Sequence, residues 1–268
     1  MKADFVDCHT CFNLESLRDK LREQGDYDGA AAAQIRYDLH NMEKTLHIDE
    51  DKRRCDYAHA NPSRAVYISI DGMDNRKLRQ PKTKVTTFDT EQAPRLKVQL
   101  QGARTSQGTF AFTFLEDIAH DSSFVVETLK RTIQHLSDSN KLPTSMEERV
   151  LYLEADNCWR ENKNGTVMAY LLALLKSRMF TRIEYLFMIR GHTHNLTDQL
   201  FSSLATWLAE REVWTLEEFQ DVVLKVFDHH EWIQQVPYVR SWLRKFQTIT
   251  TPKWISKHNC FQVNLPLV

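Results

Sequence analysis

The chain has 268 residues, of which 42% are hydrophobic, and it contains only 7 glycines and 7 prolines. This composition predicts a globular protein with a full hydrophobic core, one large domain plus an extension, and nothing in it indicates a disordered chain. The formal net charge is −1. Dedicated nucleic-acid-binding proteins are usually basic, so any contact with nucleic acid must depend on local patches.

The sequence predicts an intracellular protein, nuclear or cytoplasmic, with no membrane span. No apolar run approaches the roughly 18 residues that a membrane-spanning helix needs. The first ten residues, MKADFVDCHT, lack the apolar core of a signal peptide. The 5 cysteines, an odd number, argue against a disulfide framework and fit a reducing compartment.

Residues 1–60 are predicted to form a helical lead-in. A helix-compatible stretch runs from Leu14 to about Leu46 and is interrupted near Gly25 and Gly29, which predicts a helical hairpin. Just before it stands a C-x2-C pair, Cys8 and Cys11.

A C-x2-C pair is half of a tetrahedral zinc site, and the sequence contains no second pair. Residues that could complete the site are available, although their spacing matches no familiar zinc finger: His40, His47 and Cys55. The alternatives are two ordinary cysteines, or half a site whose other ligands lay upstream in a longer ancestral protein.

The first predicted strand is Arg64 to Ile70, with Asp71 at its end. The segment NRKLRQPKTK follows soon after, without any acidic residue. Such a segment is either a solvated charged surface or a set of cationic partners for a phosphodiester backbone. Its basic residues are Arg76, Lys77, Arg79, Lys82 and Lys84.

Two more strands are predicted, Leu96–Gln101 and Thr109–Leu115, and the segment GARTSQG between them suits a hairpin turn. Apolar residues at helical spacing then predict a helix over Phe124–Leu136. Its cap is expected among residues 121–123, DSS.

An apolar run from Val150 to Leu153 predicts a buried fourth strand, and Asp156 and Asn157 come directly after it. In open α/β sheets, ligands bind at the carboxyl ends of strands, so Asp156 is a candidate functional residue. The alternative is that Asp156 caps a helix.

The sequence continues with a buried helix over Gly165–Met179 and a strand over Arg182–Ile189. The segment GHTHNLTDQLF then leads into a helix with Asp198 in its first turn. A simpler role for Asp198 is a favourable interaction with the helix dipole. A simpler role for His192 and His194 is hydrogen bonding within a loop.

Residues 213–268 are predicted to form a helical C-terminal extension that includes a helix over Thr215–Phe227. Its tryptophans, Trp232, Trp242 and Trp254, are expected to pack against the core.

The predicted order of elements is β-β-β-α-β-α-β-α, which is the layout of a ribonuclease H-like mixed sheet, here over residues 61–212. In that layout the first and fourth strands are neighbours, so Asp71 and Asp156 would lie side by side, with Asp198 at the same edge. Clustered carboxylates require cations, and hard oxygen ligands suit Mg²⁺ or Mn²⁺. Two such ions, about 4 Å apart, would stabilise both the attacking and the leaving oxygen of a phosphoryl transfer.

The chain resembles a ribonuclease H-like domain found in proteins of eukaryotic mobile elements, a domain related to DDE/DDD transposases and integrases. The resemblance depends on the segments ISIDGMDN, EADNCWRENKN and GHTHNLTDQLF, and it extends from about Cys8 to the C-terminus. It implies that Asp71, Asp156 and Asp198 are metal ligands. The residues expected to support this site are Asn157, Glu161, Asn162, His192 and His194. Typical integrases end the triad with Glu, so Glu161 is the alternative third ligand.

The predicted function is DNA cleavage or strand transfer, in which a water or a DNA 3′-hydroxyl attacks a phosphodiester without a covalent enzyme intermediate. DNA is the expected partner, in contact with the basic segment, Asn157 and Asn162; homo-oligomerisation is left open. Met1 lies close to the C-x2-C pair, which is typical of a truncated or domesticated derivative, so an inactive DNA-binding relic is an alternative.

A second alternative is a metallophosphoesterase, because GHTH after a strand resembles the closing motif of that family. Those enzymes also require Asp-x-His and Gly-Asn-His segments. The corresponding places here read DGMD and ADNC, without the histidines.

Overall fold

An eight-stranded mixed sheet forms the centre of the computed structural model, which describes residues 8–74, 78–83, 94–115, 117–145, 147–188, 196–227, 230–246 and 259–264. The strands are β1 (Ala65–Gly72), β2 (Arg79–Gln80), β3 (Leu96–Thr105), β4 (Gly108–Leu115), β5 (Val150–Ala155), β6 (Arg182–Phe187), β7 (His230–Gln235) and β8 (Cys260–Asn264). The helices are α1 (His9–Glu23), α2 (Tyr27–Ala60), α3 (Ser122–Asp138), α4 (Gly165–Lys176), α5 (Leu196–Ala209), α6 (Leu216–Val226) and α7 (Trp242–Lys245).

Within the sheet the strand order is β7-β4-β3-β1-β5-β6-β8, and the short β2 pairs with the start of β3. Strand β3 is antiparallel to both of its neighbours, β1 and β4, whereas β5 and β6 run parallel to β1. As predicted, β1 and β5 are neighbours. This mixed α/β arrangement is compatible with a ribonuclease H-like fold.

Helices cover both faces of the sheet. On one face Ile68, Leu153 and Phe112 pack with apolar residues of α3 and α4 in a large buried cluster. On the other face α5 and α6 pack over Leu100 and Ala111 in a second cluster. Because the central strands are enclosed on both sides, all six residues of β5 are buried, which is typical of parallel strands.

The prediction of a helical C-terminal extension is wrong in one respect. Besides α6 and α7, this region provides β7, which pairs parallel with β4, and β8, which pairs antiparallel with β6. Both are edge strands that pair with segments far away in sequence, and a local hydrophobic pattern does not encode such pairing. Trp242 is buried in the core and Trp232 packs against it, as predicted, while Trp254 lies outside the described residues.

The lead-in forms two helices, as predicted, but α2 continues to Ala60 and docks its last turns on the sheet through Cys55 and Ala58. Gly25 has a positive φ of 75° in the turn between the helices. Although α2 has 34 residues, neither it nor any other described helix is long and apolar enough to cross a membrane.

The start of α5 lies unusually close to the sheet at Gly102, which pairs with Asp71 across β1 and β3. A Cβ atom placed on Gly102 would lie 2.9 Å from Cγ2 of Thr197 and 3.1 Å from Cζ of Phe201. Only glycine therefore allows α5 to approach this closely.

Gly102→Ala is expected to lower the free energy of unfolding by about 1–3 kcal/mol, because the added methyl group overpacks the contact with α5. Thr197→Ser removes the methyl group that lies nearest while keeping the hydroxyl. The double variant should therefore be more stable than the sum of the two single effects predicts. Urea unfolding of the four proteins measures the coupling, and strictly additive effects would contradict this account of the contact.

Candidate metal centre at the carboxyl ends of β1 and β5

The register of β1 and β5 aligns two carboxylates at one edge of the sheet. Ser69 pairs with Glu154 and Ile70 with Ala155, so Asp71 and Asp156 follow at the next position of the two parallel strands. Since side chains alternate between the faces of a sheet, Asp71 and Asp156 share the face that carries Ser69 and Glu154.

Helix α5 brings a third carboxylate to the same face. Its first turn contains Thr197, whose hydroxyl lies 3.2 Å from that of Ser69, and Asp198. The close approach at Gly102 lets this turn reach β1. Asp198 consequently forms a side-chain hydrogen bond with Asp71.

The three carboxylates interact electrostatically. Burial raises the pKa of Asp71 well above its ordinary value, and the negative charges of Asp198 and Asp156 and the hydrogen bond with Asp198 raise it further. The Gly72 amide, which donates to Asp71 Oδ1 at 2.8 Å, opposes this shift in the pKa. The residue as a whole is half-buried.

Asp156 is held in place by the polar segment that follows β5. Its Oδ1 atom accepts hydrogen bonds from the backbone N–H of Cys158, at 3.1 Å, and from the side-chain amide of Asn162. The backbone carbonyl of Asn162 in turn accepts from the hydroxyl of Tyr185 on β6, at 3.2 Å. This network fixes the orientation of the Asp156 carboxylate through residues that follow β5 and through Tyr185 on β6.

Glu161 has other partners. Its Oε1 atom lies 3.1 Å from His120 Nδ1 and 3.0 Å from Arg160, and the Nε2 atom of His120 is 3.4 Å from the position of a Cβ on Gly72. Burial opposes ionisation of Glu161, but the hydrogen bonds and charges of His120 and Arg160 lower its pKa. Asp198, and not Glu161, is therefore the acid that contacts Asp71, with Glu161 reaching the same edge through His120.

The remaining predicted residues are only partly described. The side-chain amide of Asn157 donates to Asn259, at 3.2 Å, immediately before β8. His192 and His194 lie outside the described residues, so their predicted roles, including the one in a phosphoesterase, stay predictions.

Among the predicted basic residues, Arg79 and Lys82 are described, and Arg76, Lys77 and Lys84 lie outside the described residues. Arg79 is exposed on β2 and pairs with Lys97 at the start of β3. Since β3 runs antiparallel to β1, its start extends beyond the carboxyl end of β1. These two cations therefore lie at the same edge of the sheet as the carboxylates. Lys82 forms a backbone bridge to Val213.

Several polar residues of this region were not predicted from the sequence to be part of the site. His120 stands just before the cap of α3, where nothing marks it as part of a site. Ser69, Glu154 and Thr197 are fully buried, and the hydroxyl of Ser69 donates to Glu154. Ser69 stands two residues before Asp71 on β1, and Glu154 stands two residues before Asp156 on β5. Because side chains alternate along a strand, this spacing alone could have suggested that Ser69 and Glu154 lie below the carboxylates.

The raised pKa of Asp71 predicts how the stability of the metal-free protein depends on pH. The folded state holds this proton more tightly than the unfolded chain does. The contribution of Asp71 to the free energy of unfolding is therefore fully present below the ordinary aspartate pKa of about 3.9 and declines as the pH rises toward the raised value.

In EDTA at neutral pH, Asp71→Asn should therefore increase the free energy of unfolding by on the order of 1–3 kcal/mol, because charge repulsion is removed. Urea unfolding between about pH 5 and pH 8 should also show a weaker pH dependence than in the wild type. The exposed Asp117→Asn is the matched control and should change neither. A destabilised Asp71→Asn protein at neutral pH would contradict the electrostatic account.

Comparison with known proteins identifies the family of this chain. A family model described as "Domain of unknown function (DUF7869)" matches residues 88–266, a region that includes Asp156 and Asp198 but begins after β1 and Asp71. No curated protein matches the sequence.

A crystal structure of the Mos1 strand transfer complex is similar to this chain at 15% identity and a TM-score of 0.32, over 85% of this chain and 73% of that one. At this TM-score the similarity supports no argument about fold or function. The family match, in contrast, spans most of the chain, and the protein belongs to the DUF7869 family.

Proposed function

We propose that the protein is a metal-dependent enzyme that cleaves or transfers DNA strands, with Asp71, Asp156 and Asp198 as ligands of two divalent ions. The observation that carries the proposal is the meeting of carboxylates from β1, from the end of β5 and from α5 at one edge of the sheet. The order β4-β3-β1-β5-β6, which is that of a ribonuclease H-like core, supports it.

The residues fit Mg²⁺ or Mn²⁺. The donor set consists of hard carboxylate oxygens, which these ions prefer. The negative charges of Asp156 and Asp198 raise the pKa of Asp71, so full ionisation of the three groups is unfavourable without a cation. A divalent ion would remove this repulsion and allow all three carboxylates to ionise.

When bound, the ions would supply a Lewis acid that stabilises the charge on the phosphoryl oxygens during an in-line displacement. The protein's own residues position the site. Cys158 and Asn162 fix the orientation of Asp156, and the contact of Thr197 with Ser69 fixes the first turn of α5 and with it Asp198. Carboxylates held in this way need little reorganisation when substrate binds.

DNA would approach along the edge of the sheet that carries Arg79 and Lys97. Side-chain cations near the phosphodiester backbone provide sequence-independent affinity. A small set of such contacts is compatible with the overall charge of −1, because the basic residues are concentrated locally.

Asp156→Asn should reduce Mn²⁺-dependent nicking of supercoiled DNA by about 10³-fold or more, since the loss of a metal ligand removes several kcal/mol of transition-state stabilisation. Asn keeps the Oδ1 acceptor for Cys158 and Asn162, so the fold should be retained. Asp198→Asn should behave in the same way, and Asp117→Asn should keep wild-type activity. Gel-based nicking assays with Mg²⁺ and with Mn²⁺ measure the rates.

Wild-type protein that fails to nick or join DNA with either ion would exclude the enzyme. If that protein still bound DNA with a steep salt dependence, the inactive DNA-binding relic would be the correct function.

Arg79→Ala should weaken DNA binding about equally for unrelated sequences and should reduce the slope of log K against log salt concentration by about one. Arg36→Ala, which removes an exposed arginine from the first third of α2, is the matched control and should leave the slope unchanged. Fluorescence anisotropy at several salt concentrations measures both. Equal slopes for all three proteins would place the DNA path elsewhere.

A further inference from the structure

The lead-in hairpin brings three metal-ligating side chains together. The Sγ atoms of Cys8 and Cys11 and a ring nitrogen of His40 all lie within 4.8 Å of one another. The distance between Cys8 Sγ and His40 Nε2 is 3.2 Å. Cys8 precedes α1, Cys11 lies in its first turn, and His40 lies in the middle of α2.

The antiparallel pairing of the two helices explains this meeting. The turn is fixed at Asp26, whose side chain caps α2 by accepting from Gly29 at 2.9 Å. Farther along, Arg18 of α1 donates to Gln34 of α2 at 2.9 Å. Continuing this register by about two turns places His40 opposite the C-x2-C pair. The two cysteines share one side of α1 because they are three residues apart.

The hairpin has little hydrophobic core to hold it together. Helix α1 buries none of its residues. In α2 the buried residues are Ala30 and Ala33 near the turn and then, at the sheet end, Arg54, Cys55 and Ala58. Two alanines provide little stabilisation, so a hairpin of this kind requires another source of stability, and small structural units commonly obtain it from a metal.

The other candidate ligands of the lead-in lie too far away. Cys55 is 15 positions beyond His40, roughly 22 Å along a helix, and its Sγ atom is 3.5 Å from His59 Nδ1. His47 is two turns beyond His40, roughly 10 Å away. Among the described residues, only His40 reaches the two cysteines.

We propose that Cys8, Cys11 and His40 bind one Zn²⁺ ion, which fastens the start of α1 to the middle of α2. Two sulfur ligands and one imidazole nitrogen are a donor set that zinc prefers. A solvent molecule or another donor would complete the tetrahedron. This site is structural and separate from the carboxylate edge of the sheet, so it does not depend on the proposed function.

Purified protein with residues 1–268, prepared without chelators, should contain about one equivalent of zinc by mass spectrometry. The variants Cys8→Ser, Cys11→Ser and His40→Gln should lose it, and Cys55→Ser, which removes a buried cysteine of the same helix, should retain it. Replacement of zinc by Co²⁺ should give a sulfur-to-cobalt charge-transfer band that the first three variants lack.

Stability measurements separate metal binding from a general folding defect. EDTA should lower the unfolding midpoint of the wild type to that of His40→Gln, should lower the midpoint of Cys55→Ser by a similar amount, and should leave the midpoint of His40→Gln unchanged. Wild-type protein without zinc that also gives no cobalt spectrum would overturn the proposal. An equal response of His40→Gln and the wild type to EDTA would overturn it as well.

Discussion

Parallel pairing between β1 and β5 joins residues 85 positions apart in the chain, Ser69 and Glu154, and the architecture of the site depends on it. Asp71 and Asp156 are neighbours only because these strands run in the same direction and in this register. A shift of one residue in register would turn one of the two carboxylates to the opposite face, against α3 and α4. The pairing therefore determines both the centre of the sheet and the geometry of its acidic edge.

Beneath the carboxylates lies a short chain of fully buried polar groups, Thr197, Ser69 and Glu154. Polar side chains in such a position are unfavourable unless they bond to one another, and here each one has a partner. These hydrogen-bonded groups connect α5, β1 and β5, which are the three elements that supply Asp198, Asp71 and Asp156. The hydrogen bonds that satisfy these groups thus also fix the relative positions of the three elements.

Much of this arrangement can be predicted from the sequence, because its causes are local. The apolar runs predict β1, β5 and β6, and the acids at the ends of β1 and β5 indicate where a site would form. The edge strands β7 and β8 could not be predicted, since their sequences, HEWIQQ and CFQVN, become strands by pairing with distant partners. The role of Gly102 and the position of His120 were also hidden, because both follow from contacts between elements and not from spacing within one.

The region matched by the family model begins at residue 88, after β1, although β1 is the strand between β3 and β5. A polypeptide that starts at this boundary would divide the sheet into two halves. Both β3 and β5 would then present a row of unpaired backbone N–H and C=O groups beside an exposed apolar surface. Edges of this kind pair with other chains and lead to aggregation. The smallest independently folding unit of this protein therefore starts upstream of the region that the family model matches, at or before Ala65.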